Sequence, residues 1–105
     1  MADREWTIEL SKSAEDNMDQ ILLHISQNIS QNISQQQVQA FLRGFYDTLE
    51  DIKSFPRMYA KLLDLDNPNI RHFIYNKYRI VYELIETERV IRILTIFHTR
   101  QQLRL

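Results

Sequence analysis

Cysteine is absent from this 105-residue chain, proline occurs twice and glycine once. Without cysteine there is neither a disulfide framework nor a thiolate metal site. The single glycine, Gly44, excludes a glycine-rich phosphate cradle, and no G-x-S-x-G nucleophile motif occurs. No apolar run approaches the roughly 20 residues that a membrane span needs. The opening "MADREWTIEL" carries Asp3, Arg4 and Glu5 where a secretory signal would place an apolar segment. The expectation is a soluble, cytoplasmic protein with no membrane partner. The histidines, His24, His72 and His98, follow no metal-ligand spacing, so neither a metal nor a cofactor is expected.

What is present suits a single domain over residues 1–105. A chain of this length buries roughly 65% of its extended surface, enough for one core. A hydrophobic fraction of 44% with 5 Phe, 5 Tyr and Trp6 is a globular composition. The net charge of -1 hides an asymmetry. Residues 1–69 hold 6 Lys/Arg against 11 Asp/Glu, whereas residues 70–105 hold 7 against 3. The basic C-terminal third has the charge to meet an anion or an acidic partner.

The stretch "HISQNISQNISQQQ", His24 to Gln37, looks like a polar linker until it is read at helical period. Ala14, Met18, Ile21, Leu22, Ile25, Ile29 and Ile33 recur at intervals of three and four, which places them on one helix face. Ser11 or Ser13 can cap the start. Ser34 followed by Gln37 is a capping-box spacing that opens a second apolar period. That period runs through Val38, Phe41, Leu42, Phe45, Leu49, Ile52 and Phe55 to Pro56, with a turn expected around Ser30–Ser34. Gly44 inside this second helix costs about 1 kcal/mol relative to Ala, and close approach to the first helix would explain it. The two "NIS" sequons, at Asn28 and Asn32, carry no weight without a secretory signal.

The flanks read as strands. "EWTIEL" alternates, and "IRHFIY", "YRIVYELI" and "RVIRILTIFH" are joined by spacings short enough for hairpins. The expected fold is α+β, in the order β-α-α-β-β-β, with a helical hairpin packed on a small antiparallel sheet. Strict alternation sets Tyr78, Ile80, Tyr82 and Leu84 against Arg79, Val81, Glu83 and Ile85. In the last strand it sets Ile91, Ile93 and Phe97 against Leu94 and Ile96. Two helices cover one face only, so Val81, Ile85, Leu94 and Ile96 are expected on a second apolar face that binds a partner.

The segments "IELSKSAEDNMDQILLHI", a second helix ending in "FP", and "NIRHFIYNKYRIVYELIETERVIRILTIFHTR" together resemble the RelE/ParE superfamily of bacterial toxins. "YRIVYE" and the closing I-L-x-x-x-H-x-R pattern place the likeness nearest the ParE branch, over roughly residues 5 to 102. The resemblance implies a toxin of a type II toxin–antitoxin module, with a cognate antitoxin as partner. ParE-type members inhibit DNA gyrase; RelE-type members cut messenger RNA on the ribosome. RNA cleavage needs a base, an acid and cations for the phosphorane charge. By the resemblance to YoeB-like members, Arg79 and His98 would supply two of these roles, with Asp64 or Asp66 as the carboxylate. Thr99 stands where those nucleases usually carry an aromatic, and a net charge of -1 is low for a ribosome-bound RNase. The expectation is therefore a gyrase-blocking toxin, without direct DNA binding of its own. Arg71, Arg79, Arg92, His98 and Arg100, beside the apolar four, form its partner surface. An mRNA endonuclease and an inactivated relative that only binds antitoxin are the alternatives.

Overall fold

The computed structural model describes residues 5–27, 31–61 and 66–101, with the backbone alone over 31–34. Its elements are β1 (Thr7–Leu10), α1 (Lys12–Gln27), α2 (Gln31–Ser54), β2 (Ala60–Lys61), β3 (Ile70–Tyr75), β4 (Tyr78–Ile85) and β5 (Val90–His98). Ser11 caps α1: its hydroxyl accepts from the Ala14 N–H at 3.0 Å, so one orphan donor of the first turn is satisfied. The helix extends through "HISQ", so the first repeat unit is helical. Ala14, Met18 and Ile21 are buried, and Leu22 and Ile25 pack against the core. Ile29 and Ser30 lie outside the described residues, as does the side chain of Ile33.

The second helix begins at Gln31, earlier than the Ser34 capping signature suggested. Ser34 can stop a helix only where continuation is poor, and the glutamines around it are good helix formers. Phe41, Phe45, Leu49 and Ile52 line its buried face. Phe55, expected on that stripe, falls just beyond the helix end and is exposed. Gly44 answers a contact different from the one expected. A Cβ there would collide with the Tyr75 hydroxyl of β3. That hydroxyl donates to the Phe41 carbonyl at 2.8 Å, so Gly44 leaves room for a strand-to-helix hydrogen bond.

The helical hairpin packs on a five-stranded sheet of order β1-β5-β4-β3-β2. β3, β4 and β5 form the expected antiparallel meander. Asn76 takes the left-handed backbone (φ 60°) that the two-residue β3–β4 loop needs, and Arg89 does the same (φ 55°) before β5. The sheet is mixed, however, because β1 runs parallel to β5, with Ile8 opposite Ile91. Parallel neighbours need a long crossover, and everything between β1 and β5 supplies it. A two-residue strand, β2, also pairs with β3.

One register feature decides which side chain faces where. Val81 lies opposite Thr95, but Tyr82 lies opposite Ile93, so Leu94 is an extra residue, a β-bulge. Strict alternation along β5 therefore fails after Ile93. Ile91, Ile93 and Ile96 all join the core, together with Ile80, Tyr82 and Leu84 of β4. The bulge's backbone groups are satisfied by α1 and its cap. The Ser11 hydroxyl donates to the Leu94 carbonyl at 2.9 Å. The Asn17 side-chain oxygen accepts from the Ile96 N–H at 3.0 Å and from the Thr95 hydroxyl at 3.1 Å. Sequence and bulge are thus matched across the helix–sheet interface.

Candidate functional site

The bulge sorts the candidate residues onto two faces. Toward the helices point Ile80, Tyr82, Leu84 and Ile96 in the core, and Tyr78 and His98, which are paired across β4 and β5. On the outer face, Ile74–Arg79–Phe97 form one row across the sheet and His72–Val81 a second, while Thr95, opposite Val81 beside the bulge, turns its hydroxyl to Asn17 of α1. A third row runs Ile70–Glu83–Arg92–Glu9.

Ile96 is therefore a correction. It was expected on the outer face, and it is 2% exposed within the core because the bulge reverses its side. Val81 does lie on the outer face, but it has no exposed surface and contributes only as a floor between its neighbours. Ile85 and Leu94 are half-buried and stand outside the core cluster.

The cations divide in the same way. Arg71 lies opposite the core residue Tyr82, and its guanidinium donates to the carbonyls of Tyr59 (2.7 Å) and Arg57 (3.2 Å). That is a structural job: it ties down the segment leading to β2. Tyr82 completes the tie by donating its hydroxyl to the Pro56 carbonyl at 3.1 Å, and burial pushes its pKa up to about 12. Arg92 is held by Glu9 at 2.5 Å and has Glu83 as its other cross-strand neighbour. Its charge is answered within the sheet. Arg100 is exposed in the turn after β5 and uses its backbone N–H to reach His98 Nδ1 at 3.1 Å.

Arg79 remains at the centre of the outer face. Its guanidinium reaches His72 Nδ1 at 2.5 Å, and burial first, then this cation, hold His72 below its ordinary pKa. Ile74 beside it is 55% exposed, the one large apolar side chain of a described strand that is open to this degree. Phe97 flanks Arg79 on the other side. His72, Ile74 and Phe97 escaped the sequence reading. Alternation along "IRHFIY" was enough to find the first two, whereas the bulge hid Phe97.

Among the described residues, the nuclease candidates are not brought together. Arg79 and His98 project from opposite faces, since Arg79 pairs with Phe97 and His98 pairs with Tyr78. His98 lines a cleft of about 450 Å³ near the connected end of the helical hairpin, shared with His24, Gln37, Phe41, Lys77 and Tyr78. Among the described residues, no carboxylate lines that cleft. His98 Nδ1 already accepts the Arg100 N–H, which leaves the ring proton on Nε2 and a donor, not a base, facing outward. Asp66 is exposed at a bend, and Asp64 lies outside the described residues. Among the described residues there is no cluster of His, Asp or Glu that could hold a metal ion, and no helix is long and apolar enough to cross a membrane.

Comparison with known proteins agrees with the fold. The family model for the ParE toxin of the type II toxin–antitoxin system parDE matches residues 8–103. The chromosomal ParDE system of P. aeruginosa contains a chain that superimposes with a TM-score of 0.66 at 14% identity, covering 90% of this chain and 96% of that one. The isolated E. coli RelE toxin superimposes at 0.59 with 15% identity, over 92% of this chain and 87% of that one. The RelBE2 toxin–antitoxin complex of Mycobacterium tuberculosis gives 0.54 with 17% identity, over 90% and 99%. No curated protein matches by sequence.

Proposed function

The chain belongs to the ParE toxin family of type II toxin–antitoxin systems, and on that premise we propose that it acts by binding DNA gyrase. In this reading it catalyses no reaction, and a cognate antitoxin silences it by covering the outer face of its sheet. The observation that carries the reading is the separation of Arg79 and His98 onto opposite faces. General acid–base cleavage needs both groups within hydrogen-bond reach of one phosphate, and that separation weighs against it. A binding surface has no such requirement. The outer face offers a central cation, Arg79, between Ile74 and Phe97, an arrangement of the kind that anchors interfaces. Arg100, exposed beyond β5, extends the positive charge at that edge.

The reading is tested by two assays on one preparation of the full chain. Supercoiling by purified gyrase should fall with added protein. Primer extension on a ribosome-bound message should detect no new cuts. Codon-specific cuts with supercoiling untouched would replace the reading with the nuclease. Silence in both assays, with antitoxin binding intact, would leave an inactivated relative.

A further inference from the structure

Arg79 does not stand alone on the outer face. Its Nη1 lies 2.5 Å from Nδ1 of His72 on the neighbouring strand. A guanidinium has donors only and keeps its proton at any relevant pH. Nδ1 must therefore offer a lone pair, which puts the imidazole proton on Nε2 and makes His72 neutral. The two residues are diagonal neighbours, since His72 is opposite Val81 and Ile74 is opposite Arg79. Val81 has no exposed surface, so the guanidinium lies along the sheet over a closed floor.

Protonation of His72 would break this arrangement. The imidazolium has no acceptor to give, and it would set a second positive charge against the first. The surroundings offer nothing to offset that. From β2, Ala60 lies opposite His72, with Lys61 opposite Arg71. From β5 come Thr95 and Phe97, opposite Val81 and Arg79. Glu83, further along β4, accepts from Asn67 at 3.1 Å, two residues beyond Val81. Among the described residues, then, Arg79 is the charged group that meets the ring.

We propose that His72 is a positioning residue for Arg79 and works as an acid-sensitive catch. Neutral, it holds the guanidinium in the orientation that meets the partner; protonated, it releases it, and binding weakens on acidification. The proposal rests on the function given above, in which Arg79 contacts gyrase.

The test has two arms, both on the full chain. In the first, imidazole and arginine nitrogens are followed by NMR through a pH titration. The Nε2–H tautomer is expected near neutral pH, and the Arg79 Nε–H signal should sharpen above the His72 transition and broaden below it. His72→Asn should abolish that pH dependence, because its amide oxygen takes about the place of Nδ1 without titrating. The Nδ1–H tautomer, or an Arg79 signal indifferent to the transition, would overturn the catch. In the second arm, binding to gyrase holoenzyme is measured at about pH 8 and about pH 5.5, either side of the ordinary histidine range. The wild type should lose roughly 3- to 10-fold in affinity between them, by the linkage of one protonation. His72→Asn should hold its affinity, and His72→Leu should bind weakly at both values. Equal pH profiles for wild type and His72→Asn would overturn the positioning role. No binding of the wild type at either pH would sink the gyrase reading itself, and the first arm would then decide the catch.

Discussion

The two faces of the sheet are built from the same strands and obey different rules. The helix-side face carries Ile80, Tyr82, Leu84, Ile91, Ile93 and Ile96 at 2% exposure or less. The Tyr82 hydroxyl serves the fold through Pro56 and the Arg71 guanidinium through Arg57 and Tyr59, although Arg71 Nε is buried without a hydrogen-bond partner among the described residues. The outer face alternates apolar and charged groups, leaves Ile74 open and holds Arg79 against a neutral imidazole. One face stores stability. The other is the surface on which the proposed partner contacts fall. A single inserted residue, Leu94, assigns Ile96 and His98 to the first face and Phe97 to the second.

The comparison breaks most visibly at the bulge. Ile96→Ala should cost about 2–5 kcal/mol, the range for truncating a buried isoleucine. Leu94→Ala, two positions away, should cost less than about 1 kcal/mol. Urea unfolding of both variants checks this, and similar losses would mean that the face assignment is wrong.

Alkaline unfolding probes the same core. The Tyr82 hydroxyl has a folded pKa near 12, above the ordinary value of 10, so its contribution is complete below pH 10. It is lost as pH rises from 10 toward 12, and amounts to about 2–3 kcal/mol over that window. Tyr82→Phe should flatten that limb of the stability curve while giving up the bond to Pro56. An unchanged limb in Tyr82→Phe would show that another group sets it.

The clamp on the bulge comes next. Asn17→Ala leaves the Ile96 N–H without its acceptor and should cost about 1–3 kcal/mol. Hydrogen exchange at that amide should accelerate more than at Ile80, its partner across the pair. Gly44→Ala should have the smallest effect, because two terms oppose. The helix gains about 1 kcal/mol, while the new methyl displaces the Tyr75 hydroxyl from Phe41. A net loss of about 1 kcal/mol is expected in the wild type. In a Tyr75→Phe background the same change should become neutral or stabilising, a non-additivity that a double-mutant cycle reads directly.

Much of this was legible in the residues. The "ISQN" unit kept one isoleucine per helical turn, which identified a helix where composition suggested a linker. The β3–β5 meander followed from short polar spacings at Asn76–Lys77 and Glu86–Glu88. The parallel pairing of β1 was not legible, because a strand's partner is chosen by the whole topology and leaves no local mark. The bulge at Leu94 was not legible either. Its cause lies in Ser11 and Asn17, more than 75 positions away along the chain, and period-two counting has no access to that distance. That one insertion accounts for the displaced assignments of Ile96, His98 and Phe97. The ties from Arg71 to Arg57 and Tyr59 were not legible for a different reason: a cation on a strand reads as surface until the carbonyls it serves are in place.

The most direct test sets one residue from each face against the other in a single supercoiling assay. Arg79→Gln should raise the concentration needed for half-inhibition of gyrase roughly 5- to 150-fold, equivalent to about 1–3 kcal/mol of binding for a partly buried interface charge. His98→Gln, on the helix-side face, should stay within about 3-fold of the wild type, as expected for a group outside the interface. Loss of toxicity on His98→Gln with Arg79→Gln unaffected, accompanied by loss of cuts in a ribosome-bound message, would contradict the account.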